Sequence, residues 1–204
     1  KKVAYVNGAG SSVVSNLRDL GFNVDEISPQ DLTEEVLGNF DVVIMGIRAY
    51  NIYENLAYKQ GLLFKFVKNG GTMIVQYNTN RGLKTENIAP FPMQISRDRV
   101  TDENSEVRFI TPEHRVLNLP NKIEPIDFEG WVQERGLYFP DEWSVELTPI
   151  LSMNDKNETP KDSSILVGEY GEGHYIYTGL SFFRELPAGV PGAYKLFANL
   201  ISIE

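Results

Sequence analysis

Asp127-Phe128-Glu129-Gly130-Trp131-Val132-Gln133-Glu134-Arg135 sets three carboxylates, an arginine and a tryptophan within nine residues. Paired carboxylates perform general acid–base work, and glycoside hydrolysis uses such a pair. Asp127 and Glu134 are therefore candidate acid–base residues. The same carboxylates could instead hold Arg48, Arg81 or Arg99 in an ion-pair network that fixes an irregular segment. Trp131 is either a platform for a sugar ring or a core residue, and Arg135 belongs to the same cluster.

Two further polar groups follow apolar runs. Arg48, Tyr50 and Asn51 come after residues 41–46 (DVVIMG), and Tyr77, Asn78, Asn80 and Arg81 come at the end of residues 72–77 (TMIVQY). In an open parallel sheet, ligands bind beyond the carboxyl ends of the strands, so both groups are expected in one crevice. Arginine offers a planar fork of donors, asparagine a donor and an acceptor, tyrosine an apolar face with a hydroxyl. That mixture suits a sugar. Capping and loop bracing are the alternative for Arg48 and Asn51.

Other constellations are weaker. The turn Asn7-Gly8-Ala9-Gly10-Ser11-Ser12 lacks a full G-x-G-x-x-G and any P-loop lysine, so Gly8 and Gly10 are read as turn formers and Ser11 or Ser12 as a helix cap. Residues 96–103 (SRDRVTDE) alternate charge; local ion pairs are expected, with Asp98, Asp102 and Glu103 the alternative ligands of a hard cation. His114 and His174 lie far apart, so structural roles are expected for both and no metal site is assigned. The absence of cysteine excludes disulfides, thiolate metal sites and a cysteine nucleophile. No cofactor is expected.

The elements that must position these residues alternate at first. Residues 3–6, 22–27, 41–46 and 72–77 read as strands, and Val13, Val14, Leu17 and Leu20 recur at helical spacing. Residues 31–37 and 56–67 read as helices. This order predicts a mostly parallel sheet with helices on both faces. Between Asn78 and Asp162 the pattern weakens, with strands expected only at 105–110 and 146–151. Residues 164–170 and 174–179 predict a hairpin around Gly171-Glu172-Gly173, and 193–201 a closing helix. A single domain over residues 1–204 is expected.

With 28 acidic against 19 basic residues the formal charge is −9, which disfavours nucleic acid and anionic membranes as partners. No apolar run reaches the ~20 residues of a membrane helix. A start at Lys1 directly before a strand suggests a piece of a longer protein.

Several motifs resemble the class I glutamine amidotransferase-like superfamily, in particular its ThuA-like branch. They are Gly70-Gly71-Thr72-Met73-Ile74-Val75, Pro112-Glu113-His114-Arg115-Val116-Leu117 (with Arg115 for the usual proline) and Val167-Gly168-Glu169-Tyr170-Gly171-Glu172-Gly173-His174. The resemblance implies a three-layer, flavodoxin-like sheet ending in a hairpin and a helix. An active member carries a nucleophile on a sharp elbow after the fourth strand, with a histidine–carboxylate pair. Here Tyr77-Asn78-Thr79-Asn80 offers only Thr79, and Phe182 and Phe183 stand where the histidine is expected, so glutaminase activity is not expected.

The phrases MGIRAYN (45–51), VQYNTN (75–80), SRDRVTDE (96–103), DFEGWVQERGLYFP (127–140) and GLSFFRELPAGVPGAYKLFANL (179–200) resemble the region C-terminal to bacterial LmbE-like (PIG-L type) N-acetylglucosaminyl deacetylases. That resemblance implies a non-catalytic accessory domain with a carbohydrate ligand, a covalently linked deacetylase domain and an extracytoplasmic location. A carbohydrate-active enzyme using Glu134 and Asp127, or a domain that merely packs on the deacetylase, are the alternatives.

Overall fold

The computed structural model describes residues 1–10 and 12–204. The chain runs through β1 (Lys2–Val6), α1 (Ser12–Asp19), β2 (Asn23–Glu26), α2 (Glu34–Leu37), β3 (Val42–Met45), α3 (Ala49–Ile52), α4 (Gln60–Lys68) and β4 (Thr72–Gln76). It continues with β5 (Met93–Val100), β6 (Arg108–Phe109), β7 (Gly136–Trp143), β8 (Thr148–Pro149), β9 (Leu151–Ser152), β10 (Ile165–Tyr170), β11 (Gly173–Thr178), α5 (Phe182–Glu185) and α6 (Pro191–Ser202).

Seven strands form one sheet in the order β2-β1-β3-β4-β11-β10-β8. β1, β2, β3, β4 and β11 pair in parallel, whereas β10 lies antiparallel to β11 and to β8. Both faces of the central strands are covered, so residues 3–6, 42–45 and 73–75 are continuous apolar runs rather than alternating ones. Val3, Tyr5, Val42, Ile44, Ile74 and Ile176 turn to one face, into a core completed by Leu17 of α1 and by Leu196, Phe197 and Leu200 of α6. Ala4, Val6, Val43, Met45, Met73 and Val75 turn to the other, against Leu37 of α2 and Leu63 and Val67 of α4. This is a three-layer, flavodoxin-like α/β fold with a closing hairpin and helix.

Local chemistry sets the boundaries. The Thr33 hydroxyl accepts a hydrogen bond from Val36 N at 3.1 Å and caps α2. Pro191 opens α6, where its missing N–H is not needed. Gly70 takes a φ of 104° that lets α4 turn into β4. The cap expected of Ser11 lies outside the described residues, and Ser12 is the first residue of α1.

Three expectations are corrected. The helices read at 31–37 and 56–67 each begin as a 3-10 turn, Pro29–Asp31 and Glu54–Tyr58, before α2 and α4. The strand read at 105–110 shrinks to β6, and that at 146–151 divides into β8 and β9, which serve different sheets. The irregular middle of the chain also contains a two-stranded antiparallel ribbon, β5 with β7, which the sequence pattern did not signal. Among the described residues, no helix is long and apolar enough to cross a membrane.

Candidate functional site

The chain leaves β1 outward to β2 and returns to β3 on the other side, so the switch in strand order lies between β1 and β3. A crevice belongs there in an open α/β sheet, but backbone fills it. Ala9 N donates to Ile47 O at 2.8 Å, and a Cβ on Gly8 would stand 1.9 Å from that same oxygen. The turn between β1 and α1 is thus zipped to the end of β3, which accounts for Gly8 without any phosphate.

One strand further on, at the end of β4, polar side chains do gather. The polar residues after β3 and β4 meet as the sequence implied, but several of them serve each other. Asn78 is fully buried; its Oδ1 accepts from Tyr50 N at 3.0 Å and its Nδ2 donates to Gln76 O at 3.0 Å. The buried Tyr50 hydroxyl donates to Gln60 Oε1 at 2.8 Å, and burial pushes its pKa well up. Asn51 Nδ2 donates to Thr79 O and Arg81 O at 3.1 and 3.2 Å, and its Oδ1 accepts from Thr79 N at 2.9 Å. Tyr50, Asn51 and Asn78 therefore brace the loops and present nothing to a ligand. Asn80 is half-buried and Arg81 exposed beside them.

Arg48 and Tyr77 differ from these: the Arg48 side chain is exposed, while the Tyr77 ring is buried against other aromatic rings. Arg48 N donates to Tyr77 O at 2.8 Å, tying the two loops together. Arg48 itself sits in the left-handed region, φ 59° and ψ 17°, and its side chain is exposed. Tyr77 is 8% exposed; its ring stacks on Tyr138 at 5.8 Å and meets Phe183 at 5.4 Å. Burial pushes the Tyr77 hydroxyl up, and the charges of Arg48 and Arg184 partly oppose that. Arg184 Nε donates to Glu134 Oε1 at 2.7 Å while its guanidinium lies 4.7 Å from the Phe183 ring centre. Gln133 and Tyr138 also take positive φ, 66° and 53°. Such non-glycine conformations cost about 1–3 kcal/mol each and persist where surroundings enforce them. Here the enforcing contacts include Tyr177 Oη donating to Tyr138 O at 2.9 Å.

Sequence reasoning missed Tyr138, Phe183 and Arg184, which reach the site from β7 and α5. It also missed Glu185. This carboxylate is fully buried beneath Glu134, accepting from Val132 N at 2.9 Å and from Ser181 Oγ at 3.2 Å. Burial raises its pKa to about 7, against the opposing pull of those two donors and of the Arg135 charge.

The remaining expected site residues go elsewhere. Trp131 is 4% exposed, stacks on Phe128 at 5.5 Å and donates Nε1–H to Asp127 O at 3.0 Å. It is core, and no sugar can reach its face. Arg135 is 4% exposed and donates to Ser105 O at 2.7 Å and to Phe128 O, so its charge is spent on backbone carbonyls. Asp127 accepts Glu124 N at 2.8 Å and holds Lys195 Nζ at 2.8 Å from both oxygens. Asp127 and Glu134 are each committed to an ion pair, with Lys195 and Arg184 rather than with Arg48, Arg81 or Arg99. They do not form an acid–base pair across a pocket.

In the charged stretch, Asp98 pairs with Lys161 at 3.2 Å. Asp155 accepts from Thr101 N, Thr101 Oγ1 and Asp102 N at 2.8–2.9 Å. Burial pushes Asp155 up, but those donors outweigh it and hold the carboxyl below its ordinary value. Among the described residues no group of three or more histidines, cysteines or carboxylates is arranged to hold a metal ion.

Clefts occur at the opposite end of the sheet. One of about 530 Å³ is lined by Glu34, Phe40, Lys65 and Phe66. Another of about 530 Å³ brings together His114, Arg115, Glu146, Glu169 and His174. The two histidines, distant in sequence, thus share one groove, where burial lowers both pKa values and each is further affected by neighbouring charge.

No family model matches the chain, and no curated protein matches it in sequence. Solved structures do. A cytoplasmic protein of Salmonella typhimurium aligns with a TM-score of 0.65 at 16% identity over 98% of both chains. A GMP synthase-like protein of Thermoplasma acidophilum aligns at 0.58 and 13% identity, over 98% of this chain and 92% of that one. A β-galactosidase of Bacillus circulans aligns at 0.55 and 14% identity; 98% of this chain covers 30% of the enzyme. At these identities the likeness is one of fold, the flavodoxin-like α/β arrangement that the sequence motifs implied. The expected extracytoplasmic location is corrected: the Salmonella protein matched along its whole length is a cytoplasmic one.

Proposed function

We propose that this chain is a non-catalytic, ligand-binding accessory domain of a carbohydrate-processing protein, with its ligand on the surface at the end of β4. The observation that carries this reading is what stands at that end. Tyr77, Tyr138 and Phe183 form an aromatic cluster there, rimmed by Arg48, Glu134 and Arg184. Aromatic faces beside charged hydrogen-bonding groups match a pyranose, with its apolar face and hydroxyl rim.

Two further points support it. The chain bends away after β4 instead of entering a helix, and Asn78 and Thr79 are not among the positive-φ residues, so no strained elbow presents a nucleophile. The fold also occurs as 30% of a much longer sugar-cleaving enzyme. The resemblance in sequence makes a deacetylase domain the partner to test. The glycosidase alternative has less support, because Asp127 and Glu134 are each neutralised by a neighbouring cation.

Thermal-shift titration against amino sugars, neutral sugars and their oligomers tests the reading, since a ligand of the folded state raises Tm with concentration. At least one saccharide is expected to do so, and Tyr138→Ala is expected to abolish the shift. If no saccharide moves Tm, alone or with the deacetylase domain attached, the reading is wrong.

A further inference from the structure

The polar groups around Tyr77 are unbalanced. The Arg48 guanidinium is exposed and makes no hydrogen bond or ion pair with the described residues. The Tyr77 hydroxyl makes none either, although the residue is only 8% exposed. Arg184 uses Nε for Glu134 and leaves its two terminal nitrogens without an acceptor among the described residues. Nearby acceptors are largely engaged: Asn78 Oδ1 with Tyr50 N, Asn51 Oδ1 with Thr79 N, and Glu134 Oε1 with Arg184 Nε, which leaves Glu134 Oε2 as an open acceptor. The loops are held in this arrangement by the Arg48 N to Tyr77 O bond and by left-handed backbone at Arg48 and Tyr138.

Two guanidinium groups against the one carboxylate of Glu134 leave donors and positive charge in surplus, which an oxyanion would answer. A neutral sugar hydroxyl can accept from these donors but carries no charge to match the two guanidinium groups. Arginine forks match the planar pair of oxygens on a carboxylate, or two oxygens of a phosphate. The site also lies on a chain of net charge −9, so a local pair of arginines with donors to spare goes against the general sign of the molecule.

Resting on the binding reading above, we infer that the ligand is an anionic saccharide, whose carboxylate or phosphate sits between Arg48 and Arg184 beside the Tyr77 hydroxyl while its ring lies on Tyr138 and Phe183. The charge supplies orientation and the rings supply area. Neither alone selects the ligand.

The test is calorimetric titration of the folded chain with glucuronate, glucose 6-phosphate, glucose and inorganic phosphate, repeated on Arg48→Gln and Tyr77→Phe. One of the two anionic sugars is expected to bind at least about tenfold more tightly than glucose, and which one does so separates carboxylate from phosphate. Arg48→Gln is expected to weaken that binding about tenfold and to reduce its salt dependence. Tyr77→Phe keeps the packed ring and is expected to weaken binding by less. Circular dichroism melts show that each variant is folded. Glucose binding as tightly as both anionic sugars, or binding indifferent to Arg48→Gln, overturns the inference and leaves the saccharide reading standing. Inorganic phosphate binding as tightly as glucose 6-phosphate, with glucuronate no better than glucose, reduces the site to an adventitious anion and also overturns it. No binding by any of these three sugars overturns the inference, while the broader saccharide reading stands or falls with the thermal-shift titration.

Discussion

Glu185→Gln isolates the one buried carboxylate that lies under the candidate site. In the wild-type chain burial lifts the Glu185 pKa from an ordinary 4.5 to about 7. Folded protein therefore holds a proton that the unfolded chain has released everywhere between those two values. By linkage, the stability contributed by this group is complete below pH 4.5 and is lost as pH rises through 7. At 1.36 kcal/mol per tenfold change the ceiling on that loss is about 3 kcal/mol. Glu134 next to it has a side chain 16% exposed, so water reaches this corner and screening brings the figure to about 1–3 kcal/mol. Glutamine fills the same volume, keeps one acceptor for Val132 N or Ser181 Oγ, and does not titrate. Its fixed cost, an unmatched donor worth about 1–3 kcal/mol, is the same at every pH. The quantity to measure is thus the difference in unfolding free energy between wild type and Glu185→Gln, by urea titration at about pH 5 and about pH 8. That difference is expected to move in favour of the variant by about 1–3 kcal/mol over this interval. A difference constant to within about 0.5 kcal/mol would show that Glu185 ionises as an ordinary surface carboxylate, and the account of Glu185 as a buried group that holds its proton would fall with it.

The histidine groove predicts the opposite slope. Burial lowers both His114 and His174 below the ordinary 6.5, so the unfolded chain binds protons that the folded one refuses, and stability falls as the medium is acidified through that value. His174→Gln is expected to flatten this acid limb in a pH series of thermal melts; an unchanged limb would mean that the groove does not hold its imidazoles neutral. Gly192 lies on α6, where a Cβ would stand 1.8 Å from Asp127 O. Gly192→Ala is expected to cost about 3 kcal/mol or more by forcing α6 off the 125–128 turn, read by urea titration; a loss under about 1 kcal/mol would mean the two segments part easily.

The central sheet was legible in the amino-acid pattern. Residues 3–6, 42–45 and 73–75 are apolar in every position, as a strand covered on both faces requires, and the helical spacing between them points to parallel crossovers. Because residues that follow neighbouring strands of such a sheet gather at one end, the meeting of Arg48 with Tyr77 was also legible. What those residues do was not. Asn51, Tyr50 and Asn78 have the same side-chain chemistry whether they bind a sugar or brace a loop, and only the positions of Thr79, Gln60 and Gln76 decide for bracing. Trp131 reads as platform or core until Phe128 and Phe182 close over it. The ribbon of β5 and β7 left no clear pattern, since its strands are far apart in the chain and β5 alternates Arg97 and Arg99 outward with bulged pairing. Yet that ribbon carries Tyr138 to Tyr77, and α5 carries Phe183 and Arg184 to the same place. The two histidines meet for the same reason, one on a 3-10 turn and one at the start of a strand. Periodicity records which face of an element is buried; it does not record which distant element buries it, and the candidate site is built from those long-range pairings.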